Sequence, residues 1–197
     1  MTIKTHEIRE QRRQIIMDNI MTMCTERWRI LEELAFQVGI SRETLWRYRN
    51  RTFPSFRFVC FVAILFRVHI VELLCSKDEL REMLSDVLIR RDDIQTATTE
   101  VHYDIEYEQV LRTNLRRERR FRCMYPDELV RLAGGHISLM SYYRYEVKCD
   151  TYPLWHIFSI ASVLGVSPLE LLTPKELHRD VVAALAKKYQ ILIPPRI

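Results

Sequence analysis

Glycine is nearly absent from this chain, with four in 197 residues, and prolines number seven. So few turn-formers cannot punctuate a sandwich or barrel of short strands, which excludes a turn-rich all-β protein. The five cysteines, Cys24, Cys60, Cys75, Cys123 and Cys149, are an odd, scattered set with no CxxC pair. That spacing excludes a disulfide framework and suits a reducing compartment. The six histidines are equally dispersed, and His69 and Cys75, six residues apart, match no common zinc spacing. No metal and no cofactor is expected. A glycine-rich phosphate loop, a nucleophile elbow and an HExxH motif are all missing, so nothing marks an enzyme. There is no run of about 18 apolar residues, and the opening "MTIKTHEIREQRRQII" has no apolar stretch followed by a small-residue cleavage site. The expectation is a cytoplasmic protein without a membrane partner.

What is present is a 48% hydrophobic, 28% charged composition arranged in long Leu/Ile/Arg/Glu-rich segments, which predicts an all-α globular protein. The formal charge of +4 is unevenly spread: residues 1–75 carry +4, residues 76–108 carry −6 and residues 109–197 carry +6. The two basic blocks share an order of motifs. "LEELAFQVGIS", "LWRYRNRTFP" and "FVAILFRVHIVELL" in the first correspond to "DELVRLAGGHIS", "SYYRYEVKCDTYP" and "SIASVLGVSPLELL" in the second. An internal repeat about 98 residues apart, with small gaps, is the simplest account.

Each block reads as a small helical bundle of five or nearly five helices. Ile15, Ile16, Asn19, Ile20 and Met23 mark the apolar side of a leading helix, and Leu31, Leu34, Ala35 and Val38 recur at helical spacing in a short second one. Gly39 supplies a left-handed turn, Ile40 plugs it, and Ser41 is a preferred N-cap, so a third helix is predicted to start at Arg42. Leu45 and Tyr48 then point inward, leaving Arg42, Glu43, Trp46, Arg47 and Arg49 outward or flanking. After Pro54 an apolar stretch supplies the fourth and fifth helices. In the second block Pro126 suits the first turn of the second helix.

The ordered set Leu34-Ala35, Val38-Gly39-Ile40-Ser41, Thr44-Leu45, Arg47-Tyr48, Pro54, Ala63 and Leu73-Leu74 resembles the phage-repressor-like helix-turn-helix family, of lambda repressor and Cro type. A weaker set in the second block, Leu129, Ile137-Ser138, Tyr142, Arg144-Tyr145-Glu146, Pro153, Ala161, Leu164-Gly165-Val166-Ser167 and Leu171-Leu172, resembles the same family. The resemblance implies two such bundles joined by a helical linker: a DNA-binding unit at 1–75, an acidic linker at 76–108, a degenerate second unit at 109–174 and a C-terminal helix and tail at 175–197. It also implies a sequence-specific regulator of transcription, repressor-like, binding double-stranded DNA. Arg42, Glu43 and Arg47 would read bases in the major groove, arginine by two bonds to guanine and glutamate by accepting from cytosine. Ser41, Thr44, Arg49, Arg51 and Arg57 would contact phosphates.

"LRRERRFR", residues 115–122, offers Arg116, Arg117, Arg119 and Arg120 as further phosphate contacts, or else forms a solvated face with Glu118 pairing locally. Candidate contacts of the second unit are Ser138, Ser141, Arg144 and Lys148, but Leu139 and Met140 stand where base-reading residues would be. Tyr142, Tyr143 and Tyr145 read as core and capping residues or as an aromatic protein-binding patch. In the acidic middle, Ser76 is an N-cap and Leu80, Met83, Leu84, Val87 and Leu88 follow at helical spacing. Leu177, Val181 and Leu185 form a stripe that docks on the protein's own core or packs a homodimer. The competing function is a protein-interaction regulator, of antirepressor or inhibitor type, whose arginine ridge grips an acidic protein.

Overall fold

The computed structural model describes residues 3–26, 31–90, 101, 103–134, 137–147 and 154–191. Among them every regular element is a helix, in the order α1 (Ile3–Glu26), α2 (Leu31–Val38), α3 (Arg42–Asn50), α4 (Phe56–Phe66), α5 (Val71–Leu74), α6 (Lys77–Arg90), α7 (Tyr107–Phe121), α8 (Pro126–Leu132), α9 (Leu139–Val147), α10 (Leu154–Leu164), α11 (Pro168–Leu172) and α12 (His178–Lys188). The expected all-α class is therefore observed.

Local chemistry sets the boundaries. Ser41 and Ser55 cap α3 and α4, their hydroxyls accepting from the amides of Thr44 and Phe58 at 3.1 and 3.2 Å. Ser76 and Glu79 at α6, and Ser167 and Glu170 at α11, form reciprocal boxes in which each side chain accepts from the other's amide. These satisfy donors that a helix start leaves open. Gly39, with φ of 73°, turns the chain after α2, and Pro126 occupies the first turn of α8.

Packing repeats along the chain. The leading helix packs on the fifth helix of its own series, α1 on α5 and α7 on α11. Asn19 of α1 donates to the carbonyls of Leu73 and Cys75 at 3.2 and 2.8 Å; Asn114 of α7 donates to those of Leu171 and Thr173 at 3.1 and 2.8 Å. In both, one amide bridges carbonyls that a terminating helix leaves without an intrahelical donor. Asn19 thus belongs to the buried side of its helix for a polar reason.

The two series meet through like elements, α5 with α11 and α6 with α12. The Arg12 guanidinium lies 3.9 Å from the Phe158 ring centroid, bringing α1 against α10, and α4 faces α7 across a cleft lined by Arg57, Phe61, Ile64, Tyr107, Glu108 and Arg112. Exchanging the two series maps each of these element contacts onto its counterpart. One continuous apolar core results, including Ile16, Ile20, Phe66, Leu73, Leu171 and Val182. The described residues of 76–108 consequently do more than link: Leu80, Leu84, Val87 and Leu88 of α6 are buried, as are Ile105 and Tyr107 beyond it. The C-terminal stripe docks within the chain, Val181 and Leu185 being fully buried.

The centre of the seam is polar. His69 Nδ1 accepts from the Val71 amide at 3.4 Å, and its Nε2 faces Thr173 Oγ1 at 3.1 Å, whose hydroxyl donates to the Leu169 carbonyl at 2.6 Å. A neutral imidazole carrying its proton on Nε2 satisfies all three groups. Burial, with His178 nearby, pulls the His69 pKa down to about 3. Beside it the buried Glu72 carboxylate accepts from the Tyr189 hydroxyl at 3.0 Å and pairs with Lys188.

Candidate nucleic-acid interface

Helix α3 is held from below and at both ends. Leu45 is buried, and Tyr48, half-buried, packs its ring 5.1 Å from that of Phe58 and donates to Ser55 Oγ at 3.3 Å. At the C-terminal end, buried Arg13 donates to the carbonyls of Tyr48, at 3.0 Å, and Arg49, with Glu10 as its ion-pair partner. Arginine suits this place because its fork can serve carbonyls and a carboxylate together, and its charge complements the negative helix end. Sequence reasoning missed Arg13; its position three and four residues before Ile16 and Met17, on the stripe that continues through Ile20 and Cys24, was the available signal.

With the helix fixed, Arg42, Glu43, Trp46, Arg47 and Arg49 are all exposed on α3. Arg47 also donates to Thr44 Oγ1 at 3.2 Å, and Ser41 Oγ lies 3.0 Å from the same hydroxyl, so the ridge begins in a small hydrogen-bonded cluster. Arg51 stacks its guanidinium 5.0 Å from the Trp46 ring centroid. The structure therefore brings together Ser41, Arg42, Glu43, Thr44, Arg47, Arg49 and Arg51. Arg57 does not join them; its guanidinium lies over Phe61 at 5.5 Å and lines the α4–α7 cleft.

The second series differs. Ser138 Oγ accepts from the Ser141 amide at 3.0 Å, repeating the cap of α3. Arg144 is exposed, and Lys148 lies outside the described residues. Tyr142 and Tyr145 are buried, whereas Tyr143 is exposed.

The arginines of α7 require a correction. Arg119 is not available to phosphates: it forms a two-pronged ion pair with Glu146 at 2.7 and 3.1 Å and donates to the Met124 carbonyl at 2.8 Å, with a side chain only 11% exposed. Arg116 donates to the Glu146 carbonyl at 2.9 Å and Arg117 pairs with Glu118 at 2.9 Å, so both are partly committed within the fold. Arg120 alone of the four is fully outward. The reason is that "LRRERRFR" places Arg116 and Arg119 on the side facing α9, where a buried carboxylate and a helix end need positive partners. Burial pushes the Glu146 carboxyl upward, but the hydrogen bonds from Arg119 and Tyr142 outweigh it and hold it below the usual carboxylate range.

No protein-family model, curated protein or solved structure matches this chain. Among the described residues there is no helix long and apolar enough to cross a membrane, and no cluster of His, Cys, Asp and Glu able to hold a metal.

Proposed function

We propose that the chain is a sequence-specific double-stranded DNA-binding regulator of transcription, repressor-like in action, in which α2, the turn at residues 39–41 and α3 form a helix-turn-helix of lambda repressor and Cro type, and α8 and α9 its degenerate counterpart. The observation that carries this is the state of α3: a capped, rigidly anchored helix whose outward side is Arg42, Glu43, Trp46 and Arg47. A helix of about 10 to 12 Å diameter fits the major groove, and one that enters by its N-terminal turn presents its first residues to base edges. Arg42 and Arg47 would read guanine and Glu43 cytosine, while Ser41, Thr44, Arg49 and Arg51 would face phosphates. Pre-anchoring matters because a loose arginine loses rotamer freedom on binding, whereas a ridge set by Leu45, Tyr48 and Arg13 has already fixed its backbone.

Two such units on one chain raise the effective concentration of the second contact once the first is made. The test is selection of bound duplexes from a random pool, followed by titration at several salt concentrations. Expected is a G/C-containing preference, with Arg42→Ala costing about 1 to 3 kcal/mol on the selected site and relaxing specificity at one position. Unmeasurable binding to any duplex at low salt would sink the reading and leave the ridge as a surface for an acidic protein, as in an antirepressor or inhibitor.

A further inference from the structure

The capped third helices can be compared position by position, because Ser41 and Ser138 begin them and both run nine residues. Where α3 presents Arg42, Glu43, Trp46 and Asn50, α9 presents Leu139, Met140, Tyr143 and Val147. All four side chains in α9 are exposed, Met140 by 66% and Val147 by 58%. Leu139, Tyr143 and Val147 recur every four residues and form a stripe two helical turns long, about 12 Å. Contiguous apolar side chains facing water on a helix already anchored by buried Tyr142 and Tyr145 are the mark of an interaction surface.

The stripe ends beside positive charge. Arg112 donates to the Val147 carbonyl at 3.0 Å and Arg116 to that of Glu146, so the C-terminal end of α9 abuts the groove on α7 lined by Arg112, Arg116, Arg117, Arg120 and Phe121. Arg144 adds an exposed guanidinium on α9 itself. A second copy packed face to face on α9 would set the exposed Arg120 and Arg144 against their own counterparts. Carboxylates complement them instead.

We propose that the outward face of α9, with the arginine groove at its end, docks an acidic amphipathic helix of another protein. Apolar side chains of that helix at i, i+4 and i+7 lie on Leu139, Met140, Tyr143 and Val147, and its carboxylates meet Arg120, Arg144 and the free edge of the groove. The proposal is independent of whether α3 reads DNA.

A phage-displayed library of random 16-residue peptides, selected against the full-length chain, tests it. The enriched peptides should combine apolar residues at helical spacing with Asp and Glu. Their affinity should fall at least tenfold in Met140→Asp and severalfold in Arg120→Glu, and stay unchanged in Arg42→Ala. Both diagnostic positions are outward, so unchanged circular dichroism and melting temperature identify variants that remain folded. The proposal is overturned if no peptide is enriched, if the enriched peptides are neutral or basic, or if Met140→Asp binds them as before. It is equally overturned if sedimentation shows a dimer of the chain that Met140→Asp dissociates, since the face would then belong to a second copy.

Discussion

Arg67 and Gly165 hold the same place in the two series, 98 residues apart, each ending a fourth helix in the left-handed region with φ of 52° and 59°. Glycine reaches that conformation at no steric cost, whereas a side chain crowds its own carbonyl. A Cβ added at Gly165 would meet nothing within 4 Å, so the backbone alone decides the effect of substitution there. Arg67→Gly should therefore stabilise the protein by about 0.5 to 1 kcal/mol, and Gly165→Ala should destabilise it by about 1 kcal/mol. Urea denaturation of the two variants checks the pair; equal signs would show that contacts rather than backbone conformation govern both positions. The turn at Gly39 was legible in the sequence because glycine, a plugging Ile40 and the cap at Ser41 are adjacent. Arg67 was not, since nothing in "FRVHI" announces a left-handed arginine.

Helix α9 is tied to α7 by the pair Arg119–Glu146, reinforced by the Tyr142 hydroxyl, which donates to Glu146 at 2.7 Å. The carboxylate is 6% exposed, so removing its cation would strand a charge in the interior. Arg119→Met should cost about 3 kcal/mol or more, the usual consequence of breaking one side of a buried ion pair, while Arg120→Ala should stay within about 0.5 kcal/mol. Thermal melts of the two variants separate these roles; if Arg120→Ala proved the more damaging, the geometry of α7 would be misassigned. Helix existence and the face of α3 were readable because apolar period and cap chemistry act over a few residues. Which arginines in "LRRERRFR" turn inward was not readable, because that depends on a carboxylate about 27 residues away. The pairing of α6 with α12 escaped for the same reason: a contact between segments about a hundred residues apart leaves no local period.

On the scale of the whole molecule, stability and the seam between the series are coupled through His69. Its ring meets Thr173, the Val71 amide, Tyr103 and Tyr107, its backbone amide donates to the Glu72 carboxylate, and burial first, then the charge of His178, holds its pKa near 3 against an ordinary 6.5. Between those values the unfolded chain binds a proton that the folded protein refuses. Stabilisation is therefore complete above pH 6.5 and is lost as pH falls toward 3. Denaturation curves at pH 6.0 and 5.0 should show the loss, and His69→Gln should reduce the slope between them by about one proton, whatever its absolute stability. A slope identical to that of the unsubstituted protein would assign the acid sensitivity to other groups.

In a symmetric pair of identical chains every substitution is written twice, so neither half can change its surface without the other. Here the halves are encoded separately, and Arg42 and Leu139 stand at corresponding places with opposite chemistry. Helices α3 and α9, begun by matching serine caps, are consequently free to diverge: a change of charge at Arg42 or Glu43 leaves the apolar Leu139 and Met140 as they are.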